Sequence, residues 1–400
     1  MQNVTAASAH SEPQFAELVD VIATDPDRRE QLTDLLREDH PVYDQRGAKA
    51  VVRMRGWVLL ALARNGVSDA ALIFVLEELD AGTDVYLVAA AARALRSYAR
   101  PHAGLAPFVM RAFNNIRYRD EPISFEAYGE YPVSNTGTSP VRELLTTLVW
   151  LGPHARDVLP DLEALRAPGG GLSRKLRLEV DRTIQAIRGA VPADGPGAPT
   201  CCGSSPEHAR STVSWPLDSR RDIEPVESIV LEDHNSERIT FKEFFEGRPS
   251  IVVFFYTRCD NPLKCSLTVA KLARVQKLLE AQGFDDQIGT AAITYDPAFD
   301  RPERLRVYGQ DRGVRLDARH RMLRAAEDND ALRRHFDLGV NFVGSLVNRH
   351  RIEVYILDAK GRIAARFERI HWDEQQVVTR AIEFLSESKI RGNIPARYPG

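Results

Sequence analysis

Two cysteines in the middle of the chain are the residues best suited to chemistry. Cys259 and Cys265 are separated by five residues in the segment RCDNPLKC. Thiolates bind soft metal ions and attack disulfides, and the neighbouring cations Arg258 and Lys264 favour the charged form of a thiol. The pair therefore predicts either a soft-metal site or a centre for thiol–disulfide exchange.

The flanking sequence predicts a strand before the cysteines and a helix after them. The run IVVFFYT that starts at Ile251 is apolar, β-branched and aromatic, as in a strand buried on both faces. After Cys265, apolar residues recur at helical spacing from Leu267 to Leu279. A loop at such a junction lies at the amino end of a helix, where the helix dipole stabilises a thiolate.

Length and composition restrict the class of protein. The 400 residues predict two or three domains, and an apolar share of 44% is sufficient for ordinary cores. A formal net charge of -3 gives no indication of nucleic-acid binding. The sequence has no apolar run of the roughly 20 residues that a transmembrane helix needs. Its start shows no secretory signal, so a cytoplasmic location is expected on this evidence alone.

The first half of the chain has a helical pattern. Residues 1 to about 25 are polar, and we expect them to be frayed. From there to about residue 190 the apolar spacing predicts paired helices joined by short turns. The predicted helices are 28–38, 48–64, 69–79, 85–98, 105–116, 140–151, 158–165 and 175–187.

Part of this helical pattern resembles a known repeat. Leu148, Gly152, Pro153, Ala155 and Leu162 follow one another as in a HEAT-type repeat. The resemblance implies a multidomain chain whose residues 26–189 form an all-α, HEAT-like solenoid with a concave surface for a protein partner. A plain helical bundle is the alternative.

A linker and a second type of pattern follow. Residues 190–220 are dense in Gly, Pro, Ala and Ser, and this predicted tether contains Cys201 and Cys202, which we interpret as incidental exposed thiols. From residue 221 to residue 388 strands and helices alternate and end in a hairpin and a helix. This order predicts an α/β thioredoxin-like domain.

Four features of the second domain resemble the Sco/SenC family, thioredoxin-like factors that handle copper during cytochrome c oxidase assembly. The segment 256–265 is similar to a longer form of the family's cysteine motif, and 294–308 is similar to its acidic turn and helix. His350 stands eight residues before Asp358, and the three features occur in the family's order and spacing. Ser266 stands where most members have proline.

The resemblance implies a ligand set and a role. Cys259, Cys265 and His350 would bind copper, since thiolates hold Cu(I) and an added imidazole admits Cu(II). The chain would then be a metallochaperone that delivers copper to, or reduces thiols of, a partner such as a cytochrome c oxidase subunit, on the periplasmic side of the cell envelope. Asp296 and Asp300 are interpreted as turn and cap residues rather than ligands, and a role in orienting the ligands is the alternative.

Two other functions stay open at this point. A thiol–disulfide oxidoreductase would use Cys259 and Cys265 as catalytic residues, although the motif is not Cys-x-x-Cys and no proline occurs between Pro302 and Pro395. A non-catalytic interaction scaffold would use the helical half, with the second domain degenerate. The intact cysteines and His350 argue against that scaffold.

Overall fold

The structure is a computed structural model that describes residues 11–28, 30–125, 137–167, 170–190, 220–343, 346–369 and 372–392. It divides into two compact units, Met1–Ala209 and Arg210–Gly400, and each is treated by itself below. Apart from residues 190 and 220, the predicted linker lies outside the described residues. The same holds for Cys201 and Cys202.

In the described part of the first unit, the regular elements are helices, apart from two isolated β-bridges. Its α-helices are α1 (Glu12–Thr24), α2 (Glu30–Asp34), α3 (Ala48–Asn65), α4 (Asp69–Ala81), α5 (Val85–Leu95), α6 (Ala106–Ile116), α7 (Pro140–Leu151), α8 (Leu159–Arg166) and α9 (Arg174–Gly189). Alternate helices pack side by side: α1 on α3, α3 on α5, α5 on α7 and α7 on α9, with α4 on α6. The apolar core lies between these two rows of helices.

The start of this unit differs from the prediction. Residues 12–24 are a helix and are not frayed, because Phe15, Val19 and Ile22 recur at helical spacing and are almost completely buried. The Ser11 hydroxyl accepts a hydrogen bond from the backbone N–H of Gln14 and caps this helix. Another prediction was too long, since the helix expected at 28–38 spans only Glu30–Asp34.

The second unit is built on a mixed, seven-stranded sheet in the order β2-β1-β5-β4-β3-β8-β9. Its strands are β1 (Val230–Asp233), β2 (Arg238–Thr240), β3 (Ser250–Phe255), β4 (Gly289–Thr294), β5 (His320–Ala325), β8 (Glu353–Leu357) and β9 (Ile363–Glu368). A separate two-stranded sheet contains β6 (Val340–Val343) and β7 (Leu346–His350). The helices are α10 (Phe241–Phe245), α11 (Leu267–Ala281), α12 (Pro302–Gln310), α13 (Asn329–Phe336) and α14 (Glu374–Gly392).

The strand before the cysteines lies inside the sheet, as its composition predicts. All six residues of β3 are buried. β3 pairs in parallel with β4 and antiparallel with β8. α11 and α14 pack on each other and on β3. The cysteine loop therefore starts from the middle of the core, where its first residues have little freedom to move.

In the second unit, the β6–β7 hairpin was missed by the sequence analysis. The run VNFVGSLVNRH does not show the polar–apolar alternation of a half-buried strand. The sequence predicts a strand at 352–357 with His350 at its start, but in the structure His350 is the last residue of β7 and pairs with Val340. The next strand, β8, begins at Glu353.

Candidate metal centre

The cysteine loop is closed by a wide turn. After β3, Pro262–Ser266 form a π-helical turn that leads directly into α11. The side-chain oxygen of Asn261 accepts a hydrogen bond from the backbone N–H of Leu263 at 2.9 Å and caps this turn. Cys265 lies within the turn and is completely buried, whereas Cys259 lies before it and is partly exposed. One thiol therefore faces the interior and the other is open to a partner.

His350 reaches the same place from β7. Its imidazole is 3% exposed. Its Nε2 lies 3.3 Å from the Sγ of Cys265 and 3.7 Å from the Sγ of Cys259. Its Nδ1 lies 3.2 Å from the carbonyl oxygen of Arg351. Because a carbonyl can only accept, Nδ1 carries the proton and the lone pair of Nε2 faces the two sulfurs.

The three predicted site residues come together in space. The two Sγ atoms and the imidazole nitrogen lie within 4.8 Å of one another, and in the described part of the chain no other group of three His, Cys, Asp or Glu side chains has this arrangement. Bonds of roughly 2.0–2.3 Å from a metal to nitrogen and sulfur fit a triangle of this size. The residues present therefore fit a soft metal ion.

The two thiols have opposite protonation preferences. The Cys265 thiol donates a hydrogen bond to Cys259 and thereby lowers the pKa of Cys259 to about 3, although burial acts against this shift. Burial and the neighbouring Cys259 raise the pKa of Cys265 well above its ordinary value. The negative charge of the reduced pair is therefore on Cys259, and Cys265 keeps its proton until an electrophile or a metal ion arrives.

Two carboxylates hold the residues just before Cys259. Asp300 accepts hydrogen bonds from the Thr257 backbone N–H at 3.1 Å and from the Thr257 and Thr294 hydroxyls. Burial raises the pKa of Asp300, and these hydrogen bonds act in the opposite direction. Asp300 was expected to be a turn or cap residue. Its backbone N–H does close a turn by donating to the Asp296 carbonyl at 2.9 Å, but the N-cap position of α12 is occupied by Arg301, and the Asp300 carboxylate connects Thr257, after β3, to β4.

Asp296 binds the side chain of Arg258, the residue that follows Thr257 in the loop. It forms a salt bridge with Arg258, whose Nε lies 3.0 Å from the carboxylate. The Thr294 hydroxyl accepts a hydrogen bond from the Asp296 backbone N–H at 3.0 Å, so the carboxylate is fixed to the end of β4. Neither Asp296 nor Asp300 belongs to the three-residue cluster. Hydrogen bonds of this kind orient ligands without touching the metal.

Two tyrosines enclose the imidazole, and the sequence analysis gave them no role. The rings of Tyr256 and Tyr295 each lie 5.4 Å from the His350 ring, measured between centroids. The Tyr295 hydroxyl donates to the Arg351 carbonyl at 3.2 Å, the same oxygen that accepts from His350. Tyr256 directly follows β3, and Tyr295 directly follows β4. Their positions at the ends of adjacent parallel strands are the sequence signal that could have identified them.

A buried carboxylate supports the residue next to His350. Glu353 is completely buried and accepts hydrogen bonds from the Arg351 guanidinium at 2.7 Å and from Arg366 at 3.0 Å. The Arg351 backbone N–H also donates to the Gly339 carbonyl at 2.6 Å. These bonds fix the backbone that orients the imidazole. No feature of the sequence around Glu353 indicated this network, because its partners come from several elements.

Comparison with protein families identifies the second unit. Residues 224–386 match the family model described as SCO1/SenC. The second unit is a SCO1/SenC domain. Cys259, Cys265 and His350 all lie inside the matched region of this domain. No curated protein matches the chain. In the described part of the chain, no helix is long and apolar enough to cross a membrane.

The SCO1/SenC domain is similar to several solved structures. BsSco, described as a member of the Sco family of cytochrome c oxidase assembly proteins, is 16% identical, with 40% of this chain and 93% of that chain covered and a TM-score of 0.35. ScoI of Bradyrhizobium japonicum, solved with copper bound, is 17% identical over 39% and 96%, with a TM-score of 0.33. Yeast Sco1 with copper bound is 21% identical over 42% and 93%, with a TM-score of 0.33.

Proposed function

We propose that Cys259, Cys265 and His350 bind one copper ion, as Cu(I) or Cu(II), which the chain carries to a partner protein. The observation that supports this most strongly is the orientation of His350, whose Nε2 faces both sulfurs because its Nδ1–H is bound to the Arg351 carbonyl. Two soft thiolates favour Cu(I), and the imidazole adds a nitrogen ligand suited to Cu(II).

The partly exposed thiolate of Cys259 is the atom that an incoming or departing ion contacts first. Cys265 is buried beneath it and releases its proton when the ion binds, so copper binding is accompanied by proton release. His350, at the end of β7, completes the ligand set. For delivery, a ligand atom of the acceptor protein must first replace the Cys259 sulfur on the copper ion, because that sulfur is the accessible one of the pair. A subunit of cytochrome c oxidase is the acceptor that the family resemblance favours.

Thiol–disulfide exchange is the second candidate function, with Cys259 and Cys265 as catalytic residues. It is supported by the free state of both cysteines and by the low pKa of Cys259, the accessible thiol, which makes it the attacking nucleophile. The two activities compete for the same sulfurs, because an oxidised pair has no thiolate to offer copper.

We also propose that residues 26–189 form a HEAT-like docking domain, joined by the tether 190–220 to the Sco-type domain at 221–388. The side-by-side packing of α3, α5, α7 and α9 supports this organisation, since stacked repeats contact mainly their neighbours. A purely interaction-based scaffold remains the third candidate. It predicts that the chain neither binds copper nor exchanges disulfides.

Metal titration of the reduced, full-length chain tests these functions. A chromophoric chelator competes for Cu(I) with the wild-type chain and, in separate titrations, with the variants Cys259→Ala, Cys265→Ala and His350→Ala. His154→Ala, in the helical unit, is the matched histidine control. We expect one tightly bound copper in the wild type and in the control, and loss of that site in both cysteine variants. Absence of copper binding, together with rapid reduction of a disulfide substrate, would favour the oxidoreductase.

A further inference from the structure

A row of stacked arginines and aromatic rings lies beside the thiols. Phe299 is sandwiched between two guanidinium groups: that of Arg258 lies 4.1 Å from the ring centroid and that of Arg304 lies 4.3 Å from it. Arg258 is the residue directly before Cys259. Stacking of this kind holds a guanidinium in place while its N–H groups stay open to a partner.

A second arginine–aromatic pair lies further along α12, next to the end of the thiol loop. The guanidinium of Arg312 lies 3.4 Å from the centroid of the Tyr308 ring, and its Nε donates to the Ser266 hydroxyl at 3.1 Å. Ser266 directly follows Cys265, and the Tyr308 ring stacks on Phe255 at the end of β3. Burial raises the pKa of Tyr308, and negative charge on the sulfurs acts in the same direction, which agrees with its position next to them.

We call Arg258, Phe299, Arg304, Tyr308 and Arg312 the arginine rim. In the part of the chain that the structure describes, Arg304 and Arg312 form no salt bridge, whereas Arg258 is paired with Asp296. Three exposed acidic residues are adjacent in sequence to Cys259, Arg304 and Arg312, respectively: Asp260, Glu303 and Asp311.

The charge of the rim contrasts with that of the whole chain. The chain has a net charge of -3, but along α12 and just after it the guanidinium groups of Arg304 and Arg312 lie on aromatic rings and have no salt bridge in the described residues. Arg312 uses two of its N–H groups for the Ser266 hydroxyl and the Tyr308 carbonyl. Val307, one turn along α12 from Arg304, is 56% exposed and adds an apolar group. Arginine and aromatic residues are the types enriched where proteins bind each other, and local charge steers partners of opposite sign.

We propose, on the basis of the function proposed above, that the arginine rim is a docking surface for an acidic partner protein. The partner presents carboxylates around its own copper-accepting or disulfide-containing site. The rim binds these carboxylates through Arg304 and Arg312 and places the acceptor sulfur or nitrogen beside Cys259. The occupant is an acidic protein surface because the unpaired charge of the rim is positive and its aromatic rings are partly exposed.

The reaction rates of small charged disulfides report the electrostatic potential around Cys259, and this test does not require that the partner protein be known. In the reduced, metal-free full-length chain, the Cys259 thiolate attacks one sulfur of the disulfide and releases one thiol. Cys265 then loses its proton and attacks the Cys259 sulfur, and a second thiol leaves. Two electrons pass from the protein dithiol to the small disulfide. The second-order rate constants for net-negative oxidised glutathione and net-positive cystamine are compared by quenched alkylation and mass spectrometry.

The proposal predicts faster reaction with oxidised glutathione, although the net charge of the chain favours cystamine. Arg304→Glu/Arg312→Glu should lower the glutathione-to-cystamine rate ratio by about tenfold or more at about 10 mM ionic strength. The matched control is Arg238→Glu/Lys277→Glu, which changes the net charge equally at two exposed positions. Arg238 is four strands from β3, about 19 Å away, and Lys277 is about 18 Å along α11 from Cys265.

Two results would overturn the proposal: equal effects of the two double variants, or a wild type that reacts faster with cystamine. Copper titration of the same variants separates this inference from the proposed function. A rim variant that binds copper like the wild type but loses the glutathione preference supports docking at the rim. A wild type that shows the preference but binds no copper leaves the rim in place and rejects the copper function.

Discussion

The Nδ1 of His350 and the carbonyl oxygen of Arg351 are 3.2 Å apart, and this contact determines which imidazole nitrogen faces the thiols. In the reduced, metal-free chain we therefore expect His350 to be the Nδ1–H tautomer, whereas histidines in water favour a proton on Nε2. Nitrogen chemical shifts of the histidine rings measure the tautomer directly. His154 is the internal reference. An Nε2–H form of His350 would show that its lone pair points away from the sulfurs.

The Tyr295 hydroxyl shares the Arg351 carbonyl with His350. Tyr295→Phe removes this second hydrogen bond and keeps the ring that packs against the imidazole. We expect the free energy of unfolding to fall by about 1 kcal/mol, with the affinity for Cu(I) changed by less than about tenfold because the imidazole keeps its own bond. Urea denaturation and chelator competition measure the two quantities. A complete loss of copper binding would contradict this account.

The unequal pKa values of the thiols predict unequal alkylation. Because the pKa of Cys259 is lowered to about 3, its thiolate persists as the pH falls, and its reaction rate with iodoacetamide should stay nearly constant from pH 8 to about pH 4. Cys265→Ala removes the main hydrogen-bond donor to Cys259. The pKa of Cys259 should then rise, and its alkylation should weaken at acidic pH. Mass spectrometry of quenched samples identifies which cysteine has reacted.

Acid should destabilise the Sco-type domain through His320. Its Nε2 faces the Arg315 guanidinium and its Nδ1 faces the Thr290 hydroxyl at 2.9 Å, so the buried ring must be neutral. Burial lowers the pKa of His320 to about 4. The unfolded chain takes up this proton near pH 6.5. The contribution of the neutral His320 to the free energy of unfolding is therefore fully present above that pH and is lost as the pH falls from about 6.5 to about 4.

Urea denaturation at pH 7 and at pH 5 tests this dependence. We expect the wild type to lose about 1–2 kcal/mol from this group between the two pH values. His335, whose pKa burial lowers to about 4, contributes in the same direction. His320→Gln keeps a neutral acceptor for Arg315 and should reduce the pH dependence. An unchanged dependence in this variant would assign the acid sensitivity to other groups.

Asp300 links the cysteine loop to β4 by accepting hydrogen bonds from Thr257 and Thr294. Asp300→Asn places an amide N–H₂ group among these donors. We expect unfolding to become easier by about 1–3 kcal/mol and the affinity for copper to fall by roughly 10–100-fold, as for other residues that orient ligands. Asp260→Asn, at the exposed position next to Cys259, is the control. Equal losses in both variants would argue against a positioning role.

The sequence predicts the cysteine strand, loop and helix well, because the local pattern there agrees with the packing. β3 is buried on both faces, and α11 begins at Leu267 as its apolar spacing indicates. The convergence of His350 with the cysteines was anticipated from the family resemblance, and the structure places its imidazole beside both sulfurs. The metal-binding role itself stays a prediction that the titration tests.

Other features depend on contacts between distant residues and could not be predicted from local pattern. The orientation of His350 depends on a backbone carbonyl, and Arg351 depends on Glu353 and Gly339. α1 was missed because the polar residues around it outweighed the spacing of its few apolar ones. The β6–β7 hairpin was missed because its strands belong to a separate sheet and lack regular alternation.

The π-helical turn Pro262–Ser266 has a consequence for the length of the thiol loop. A π-helical turn contains about one residue more than an α-helical turn. Deleting one residue here would let α11 continue upstream with ordinary geometry. Each residue rotates an α-helix by about 100°, so Cys265 would swing away from Cys259 while the rest of the helix kept its place. The spacing of the two sulfurs is thus set by a single irregular turn.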